Sequence, residues 1–348
     1  MKVLILAYAR KNIGDDLFIK MLLDRYPTVD FFIKANTKEY FTWFTDTYKN
    51  LTVLIGADTD VELNNSNVTD YDAYIYVGGS IFMEGGKVYN LSEDFYSFMQ
   101  RCKENNIPFM YVSSNYGPYQ TQEYFDLSIK NFKECTDICF RDKYSYNLFK
   151  DIPSVRYAPD YVFTYDLGTF EKINNSVGIS VIDLDIRNKL KDKSEKYLNF
   201  LEKNISNYID QGKTVYLYSF CEYEGDEKTI DYLLGKFPEG KVIPVRYNGD
   251  LNTYLEMYSK MEYMICARFH AMILSLIANQ KIYVVSYSKK IDNVIDDLEL
   301  NLPIIHFEDI EENINLDLDD FVLVDTKKIN KISKEAEQQE LAVKKYLK

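Results

Sequence analysis

The chain of 348 residues exceeds the size at which one hydrophobic core usually stops growing, so its length predicts two domains. Its 46% hydrophobic and 27% charged residues are typical of a globular protein, and no repeat period indicates a solenoid. The net charge of −13 argues against nucleic acid or anionic membranes as the main partner, because a surface of that sign repels both.

The first residues, "MKVLILAYAR", predict a β-strand and not a signal peptide, because the apolar run is too short for one. No run of 18 apolar residues indicates a membrane span. The five cysteines lack paired C-x-x-C spacing, and their odd number is typical of reduced thiols. We therefore expect a cytoplasmic protein, with a peripheral place at the inner face of the membrane left open.

Short apolar runs alternate with amphipathic segments in the first half of the chain, which is the pattern of βαβ units in a mostly parallel sheet. The predicted strands are residues 2–9, 29–35, 51–56, 71–79, 107–115 and 137–142. The predicted helices are residues 15–26, 92–105 and 121–134. This alternation predicts a Rossmann-like domain over residues 1–170.

The alternation restarts after Pro159 and the polar residues 171–176. The predicted strands are residues 176–183, 213–221, 241–247, 262–267 and 281–287. They predict a second Rossmann-like domain over residues 171–326, and residues 327–348, rich in Lys, Glu and Ala, predict a closing helix.

Glycines, acids and amides gather just past the predicted strands, on the side where parallel sheets bind ligands. We expect the following of them to line a substrate site: Asn12, Gly14, Asp15, Gly78, Gly79 and Gly117. The structural alternative is a helix cap for Gly14 and Asp15, which explains them equally well. For Gly78, Gly79 and Gly117 it is a turn, which is the more frequent explanation of such glycines.

Arg141 follows a predicted strand, where an arginine is poorly placed for burial and favours an anion. The alternative is an ion pair inside the protein, with Asp142 or another nearby carboxylate.

The segment "ARFHA", residues 267–271, is the strongest signal, because a strand changes into an apolar helix there. The first helical turn presents free N–H groups to an anion, Arg268 adds a planar clamp and His270 can give or take a proton. The alternative for His270 is a capping role. Cys266 lies in the predicted strand and is expected in the core.

A metal site is not expected, because the only other histidine, His306, is distant in the chain and no residues have ligand spacing.

Taken in order, the strand-end segments resemble the polysaccharide pyruvyl transferase family over roughly residues 1–300. The matching segments are "NIGDD", "VGGSIF", "NYGPY", "RDKYS", "APDYVF", "SFCEYEGDE", "ARFHAMILSLIANQ" and "YSKK". The chain departs from the family at Ser80, where a third glycine is common, and at Lys289, where a proline is common.

The resemblance implies a GT-B-like α/β fold of two Rossmann-like domains facing a cleft. It also implies transfer of a pyruvyl group from phosphoenolpyruvate to two hydroxyls of a sugar in a cell-surface polysaccharide or its precursor, without metal or organic cofactor. The acceptor saccharide could be lipid-linked, and loops 36–50 and 83–92 are expected to select it.

The family's anion-binding residues fall on Arg141, His270 and Lys290, beside Arg268. We assign His270 and Arg268 to catalysis, with His270 as the general acid/base, and Arg141 and Lys290 to substrate binding. The first domain would take the acceptor and contribute Arg141, and the second would bind phosphoenolpyruvate.

Two other functions stay open, because a fold does not fix a function. One is a nucleotide-sugar glycosyltransferase, which would bind a nucleoside diphosphate. The other is a non-catalytic glycan-binding protein, which would bind a saccharide but not phosphoenolpyruvate.

Overall fold

The computed structural model describes residues 1–56, 63, 66–85, 91–186, 190–311 and 314–347. It divides into two compact units. The first comprises Met1–Ala9, Gly14–Tyr165 and Ile332–Lys348, and the second comprises Arg10–Ile13 and Asp166–Lys331. The chain thus changes unit after Tyr165, where the sequence predicted residue 170, and the segment predicted as a closing helix contributes its larger part to the first unit.

The first unit is built on a seven-stranded sheet. Its strands are β1 (Lys2–Leu6), β2 (Asp30–Ala35), β3 (Leu51–Ile55), β4 (Ala73–Val77), β5 (Phe109–Ser114), β6 (Asp137–Phe140) and β7 (Val155–Tyr157). They are all parallel, in the order β3-β2-β1-β4-β5-β6-β7. The helices among them are α1 (Ile13–Arg25), α2 (Thr42–Thr47), α3 (Glu93–Glu104), α4 (Gln122–Glu134) and α5 (Lys143–Phe149).

The central strands β4, β5 and β6 are buried at every residue, as strands of a parallel sheet are when both faces are covered. Helix α3 shows how a covering helix forms. Ser92 caps it by accepting a hydrogen bond from the Phe95 N–H at 3.0 Å, and its apolar residues at helical spacing are buried.

The second unit contains a six-stranded parallel sheet. Its strands are β8 (Ser176–Ser180), β9 (Thr214–Tyr218), β10 (Val242–Val245), β11 (Tyr263–Cys266), β12 (Lys281–Ser286) and β13 (Ile304–His306). Their order is β10-β9-β8-β11-β12-β13. The remaining helices of the chain are α6 (Ser194–Asp210), α7 (Asp226–Leu234), α8 (Leu251–Ser259), α9 (Phe269–Ile277), α10 (Lys289–Asp297), α11 (Thr326–Ala336) and α12 (Leu341–Tyr346).

Both sheets have the Rossmann strand order, with the topological switch between β1 and β4 in one and between β8 and β11 in the other. The predicted class, two parallel-sheet α/β domains, is confirmed. Two short edge strands, β7 and β13, were not predicted, because three residues give no clear period.

The strands end earlier than the apolar runs suggested. In the first unit the residues past β4, β5 and β6 form loops that carry part of the candidate site. Of the two predicted acceptor loops, residues 36–50 are described and include α2, whereas residues 86–90 of loop 83–92 lie outside the described residues. No helix in the described part of the chain has the length and apolarity needed to cross a membrane.

Candidate active site

In the first unit, the loops that follow β4 and β5 run side by side past the sheet edge. Asn115 donates its N–H to the Gly79 carbonyl, and Gly117 donates its N–H to the Phe82 carbonyl, each at 2.8 Å. These bonds continue the β4–β5 pairing beyond the strands, so Gly79 and Gly117 belong to one connected edge.

Gly78 and Gly79 each lie so close to a neighbouring side chain that a residue with a Cβ would not fit without a shift. Gly78 has a φ of +134°, which side chains rarely adopt, and a Cβ there would lie 3.0 Å from Asp15 Oδ1. A Cβ on Gly79 would overlap the Arg141 guanidinium. The structure therefore brings Asp15, Gly78, Gly79 and Arg141 together, as the sequence predicted for residues after strands of one parallel sheet.

Arg141 is engaged inside the protein. Its Nη1 lies 3.0 Å from Asp160 Oδ2, and its Nη2 donates to Asn115 Oδ1 at 2.7 Å. The side chains of Arg141 and Asp160 are 2% and 0% exposed. The alternative of an internal ion pair is present with Asp160. Asp142 caps α5, where it accepts from the Ser145 N–H at 2.7 Å.

Gln339, from the end of the chain, is buried against the same region of the first unit. Its Oε1 accepts from the Ser113 N–H at 2.9 Å, and its Nε2 donates to the carbonyls of Ala158 at 2.8 Å and Pro159 at 3.1 Å. One side chain thus joins the end of β5 to the segment that leads into Asp160.

In the second unit, Arg268 occupies the N-cap position of α9 with its guanidinium between two carboxylates. Its Nη1 pairs with Glu224 and its Nη2 with Asp226. Within the described residues, its buried Nε has no hydrogen-bond partner. The sequence predicted an arginine beside this helix start, but not the two acids that hold it.

Asp226 is the fixed member of this group. Its Oδ2 accepts from the N–H groups of Phe220 at 2.8 Å and Cys221 at 3.0 Å. Burial raises the pKa of Asp226 to about 6, although Arg268 acts in the opposite direction. For Arg268, burial lowers the pKa, but the negative charges of Asp226 and Glu224 have the larger effect. The pKa of Arg268 is therefore raised well above its usual value. Arg268 is therefore always charged.

His270 and Lys290 lie in the first turns of α9 and α10. These helices begin at the same sheet edge, because β11 and β12 are parallel neighbours. His270 is half-buried with its ring edge-on to Phe269, the centroids 5.1 Å apart. Lys290 Nζ lies 5.7 Å from the centre of the Tyr287 ring, and Tyr287 contributes to the raised pKa of Arg268. Arg268, His270 and Lys290 thus all lie at the starts of two neighbouring helices on one sheet edge.

The "NIGDD" segment is divided between the two units. Asn12 forms an antiparallel bridge with Cys221 and belongs to the second unit, whereas Gly14 and Asp15 lie in the first turn of α1 and belong to the first. Cys266 is in the core, and burial raises the pKa of its thiol to about 12, so it is no candidate nucleophile.

The family model for polysaccharide pyruvyl transferase matches residues 12–289. The chain belongs to the polysaccharide pyruvyl transferase family. The match begins at Asn12 and ends one residue before Lys290, so it includes every other candidate residue. As a member of this family, the protein is a transferase of polysaccharide biosynthesis.

Solved structures with a similar fold are enzymes of the GT-B class. A protein from Listeria monocytogenes described as a UDP-N-acetylglucosamine 2-epimerase is 10% identical, with 99% of this chain and 95% of that chain covered and a TM-score of 0.60. The UDP-GlcNAc 2-epimerase of Neisseria meningitidis is 9% identical, with 100% and 99% covered and a TM-score of 0.56. Identities this low show the fold alone. A comparison with curated proteins found no match.

Proposed function

We propose that this member of the polysaccharide pyruvyl transferase family transfers the pyruvyl group of phosphoenolpyruvate to two hydroxyls of one sugar, forming a cyclic ketal and releasing phosphate. The observation that supports the proposal is the position of Arg268, His270 and Lys290 at the starts of α9 and α10, two helices that begin at the same sheet edge. In a chain with a net charge of −13, cations at helix N-termini are the place where a small anion can bind.

The donor's two anionic groups fit this edge of the second unit. The N–H groups of the first turn of α9 have no partner within the helix, and the helix dipole favours negative charge there. Lys290 supplies a mobile positive charge from α10, and Arg268 supplies a planar one from the N-cap of α9. We assign phosphoenolpyruvate to this unit.

His270 is assigned to proton transfer. It protonates the CH₂ carbon of the donor, so that positive charge develops at the carbon bearing the phosphate. One sugar hydroxyl forms a C–O bond to that carbon and gives its proton back to His270. The C–O bond to phosphate then breaks, the second hydroxyl closes the ring, and its proton leaves with the phosphate. Lys290 and Arg268 stabilise the charge on the departing phosphate.

The first unit is assigned to the saccharide acceptor, with Asp15, Gly78, Gly79 and Gly117 at its edge. Arg141 is proposed to bind an anionic substrate group there, which requires its contact with Asp160 or Asn115 to open. Asn12 is proposed to contact substrate from the second unit. The chemistry uses no metal or organic cofactor, and the polymer precursor, lipid-linked or not, would be met at the inner face of the membrane by a cytoplasmic enzyme.

Ligand stabilisation tests the donor assignment. Phosphoenolpyruvate at ten times its Kd should stabilise the native protein by about 1.4 kcal/mol, through mass action on the folded state. Melting temperatures are measured in phosphate-free buffer with millimolar phosphoenolpyruvate, pyruvate or UDP. We expect a clear rise with phosphoenolpyruvate, a smaller one with pyruvate and none with UDP. A rise with UDP alone would replace this proposal with a nucleotide-sugar transferase.

A further inference from the structure

The two carboxylates on Arg268 are held in unlike ways. Asp226 is fully buried, begins α7 and accepts two backbone N–H groups, so it is fixed by the fold. The Glu224 side chain is 23% exposed and lies in a short 3₁₀ turn, Glu222–Glu224. Of the two, only Glu224 can move away without disturbing a helix.

The turn that carries Glu224 is built to reverse the chain. Gly225 follows with a φ of +81° and donates its N–H to the Glu222 carbonyl at 2.9 Å. A Cβ on Gly225 would overlap the carboxylate of Asp183, so no other residue fits there. Glu222 and Tyr223 are exposed, so the turn projects from the unit while Gly225 anchors its end.

The two carboxylates paired with Arg268 together have more negative charge than its single positive charge can neutralise. Two carboxylates on one guanidinium leave a net negative group when both are ionised, which repels a ligand with a carboxylate and a phosphate. Yet the guanidinium is not saturated, because its buried Nε lacks a partner among the described residues. Both Nη atoms are occupied and the Nε is buried, so an incoming anion can pair with Arg268 only after one carboxylate has left it.

We propose that Glu224 is an internal anion that occupies Arg268 in the empty protein and that the donor displaces it. This inference rests on the proposed function, because it takes Arg268 as part of the donor site. Glu224 is then a positioning residue that sets donor affinity: its contact with Arg268 breaks when the donor's contact forms. Asp226 keeps its own contact and holds the guanidinium in place.

The test is Glu224→Gln, which keeps the size of the side chain and removes its charge. Binding of phosphoenolpyruvate is measured by calorimetry, and KM and kcat by phosphate release. Because a hydrogen bond to a neutral amide is weaker than one to a carboxylate, we expect about ten-fold tighter binding and a lower KM, with kcat changed much less. Glu222→Gln is the matched control, since it removes the same charge from the same turn at an exposed residue, and its affinity should equal that of the natural chain.

Inorganic phosphate is titrated into the same proteins, so that this inference and the donor assignment can fail separately. If the natural chain binds no phosphoenolpyruvate, the proposed function is wrong. Tighter phosphate binding by Glu224→Gln would then still support the part of the inference that does not depend on the donor, namely that Glu224 occupies Arg268 and that an anion displaces it. Binding of phosphate by Glu224→Gln that is equal to or weaker than that of the natural chain, or absent from both, overturns it. Glu224→Ala is measured in parallel, and a lower melting temperature without tighter binding in both variants identifies Glu224 as merely structural.

Discussion

For single residues, the sequence predicted what kind of group each would bind, but not which residue of the protein would be its partner. Arg141 was expected to meet an anion because it follows a buried strand, and the structure pairs it with Asp160 at 3.0 Å. The pairing depends on β6 and β7 being neighbours, and β7 is too short to be recognised in the sequence. The same limit applies to Glu224, which lies in a segment that was singled out but whose contact with Arg268 depends on strand order.

Arg141→Lys separates a binding role from a structural one. Lysine keeps the charge but lacks the planar guanidinium that bonds Asp160 and Asn115 from separate nitrogens, so we expect a loss of roughly 1–3 kcal/mol in the free energy of unfolding. If Arg141 also binds a substrate anion, the affinity of the folded variant for donor or acceptor should fall as well. Urea unfolding followed by the fluorescence of Trp43, the single tryptophan, measures the first unit, and calorimetry measures binding.

Arg156→Lys is the control for that experiment. Arg156 makes a bidentate pair with Asp137, at the start of β6, whereas Arg141 follows its end. We expect Arg156→Lys to lose stability with unchanged substrate affinity. If Arg141→Lys behaves in the same way, Arg141 is an internal ion-pair partner only.

Helices and strands with a long, regular hydrophobic pattern were predicted well, but the residues at which they begin and end were predicted less well. Helix α9 was expected from "HAMILSLIANQ", and it spans Phe269–Ile277 with Arg268 at its N-cap. This junction between strand and helix can be recognised in the sequence, because the hydrophobic pattern of a strand has a different period from that of a helix. The sequence could not show that α10 begins next to α9, because this depends on β11 and β12 being neighbours in the sheet.

His270→Gln tests the function of the α9 start. Glutamine keeps an amide of similar size for hydrogen bonding but cannot shuttle a proton. We expect the variant to fold and bind phosphoenolpyruvate and to lose at least ~10²-fold in phosphate release, the lower end for acid–base catalysis. His306→Gln is the control, because it changes the other histidine of the same unit, 39% exposed beside Asp292 and Asp309. Near-normal turnover with a lower melting temperature in His270→Gln would assign His270 to capping.

At the scale of the whole chain, the alternation of strands and helices was enough to predict two parallel-sheet units. It did not predict that residues 332–348 belong to the first unit, because a helical pattern rich in Lys and Glu carries no information about which surface it covers. The strongest evidence that the end of the chain packs on the first unit is Gln339, a buried polar residue that lies 226 positions after Ser113 and 181 positions after Ala158.

The variant Gln339→Leu measures how much the packing of residues 332–348 stabilises the first unit. Leucine has a similar volume but leaves the Ser113 N–H and the carbonyls of Ala158 and Pro159 buried without their partner, and each such group costs about 1–3 kcal/mol. We expect the free energy of unfolding, measured in urea by Trp43 fluorescence, to fall by at least about 2 kcal/mol. Gln338→Leu is the matched control: it is exposed and adjacent, so its effect should stay within about 0.5 kcal/mol. Equal midpoints for the two variants would mean that the end of the chain only covers the first unit and does not hold β5 and the Asp160 segment in register.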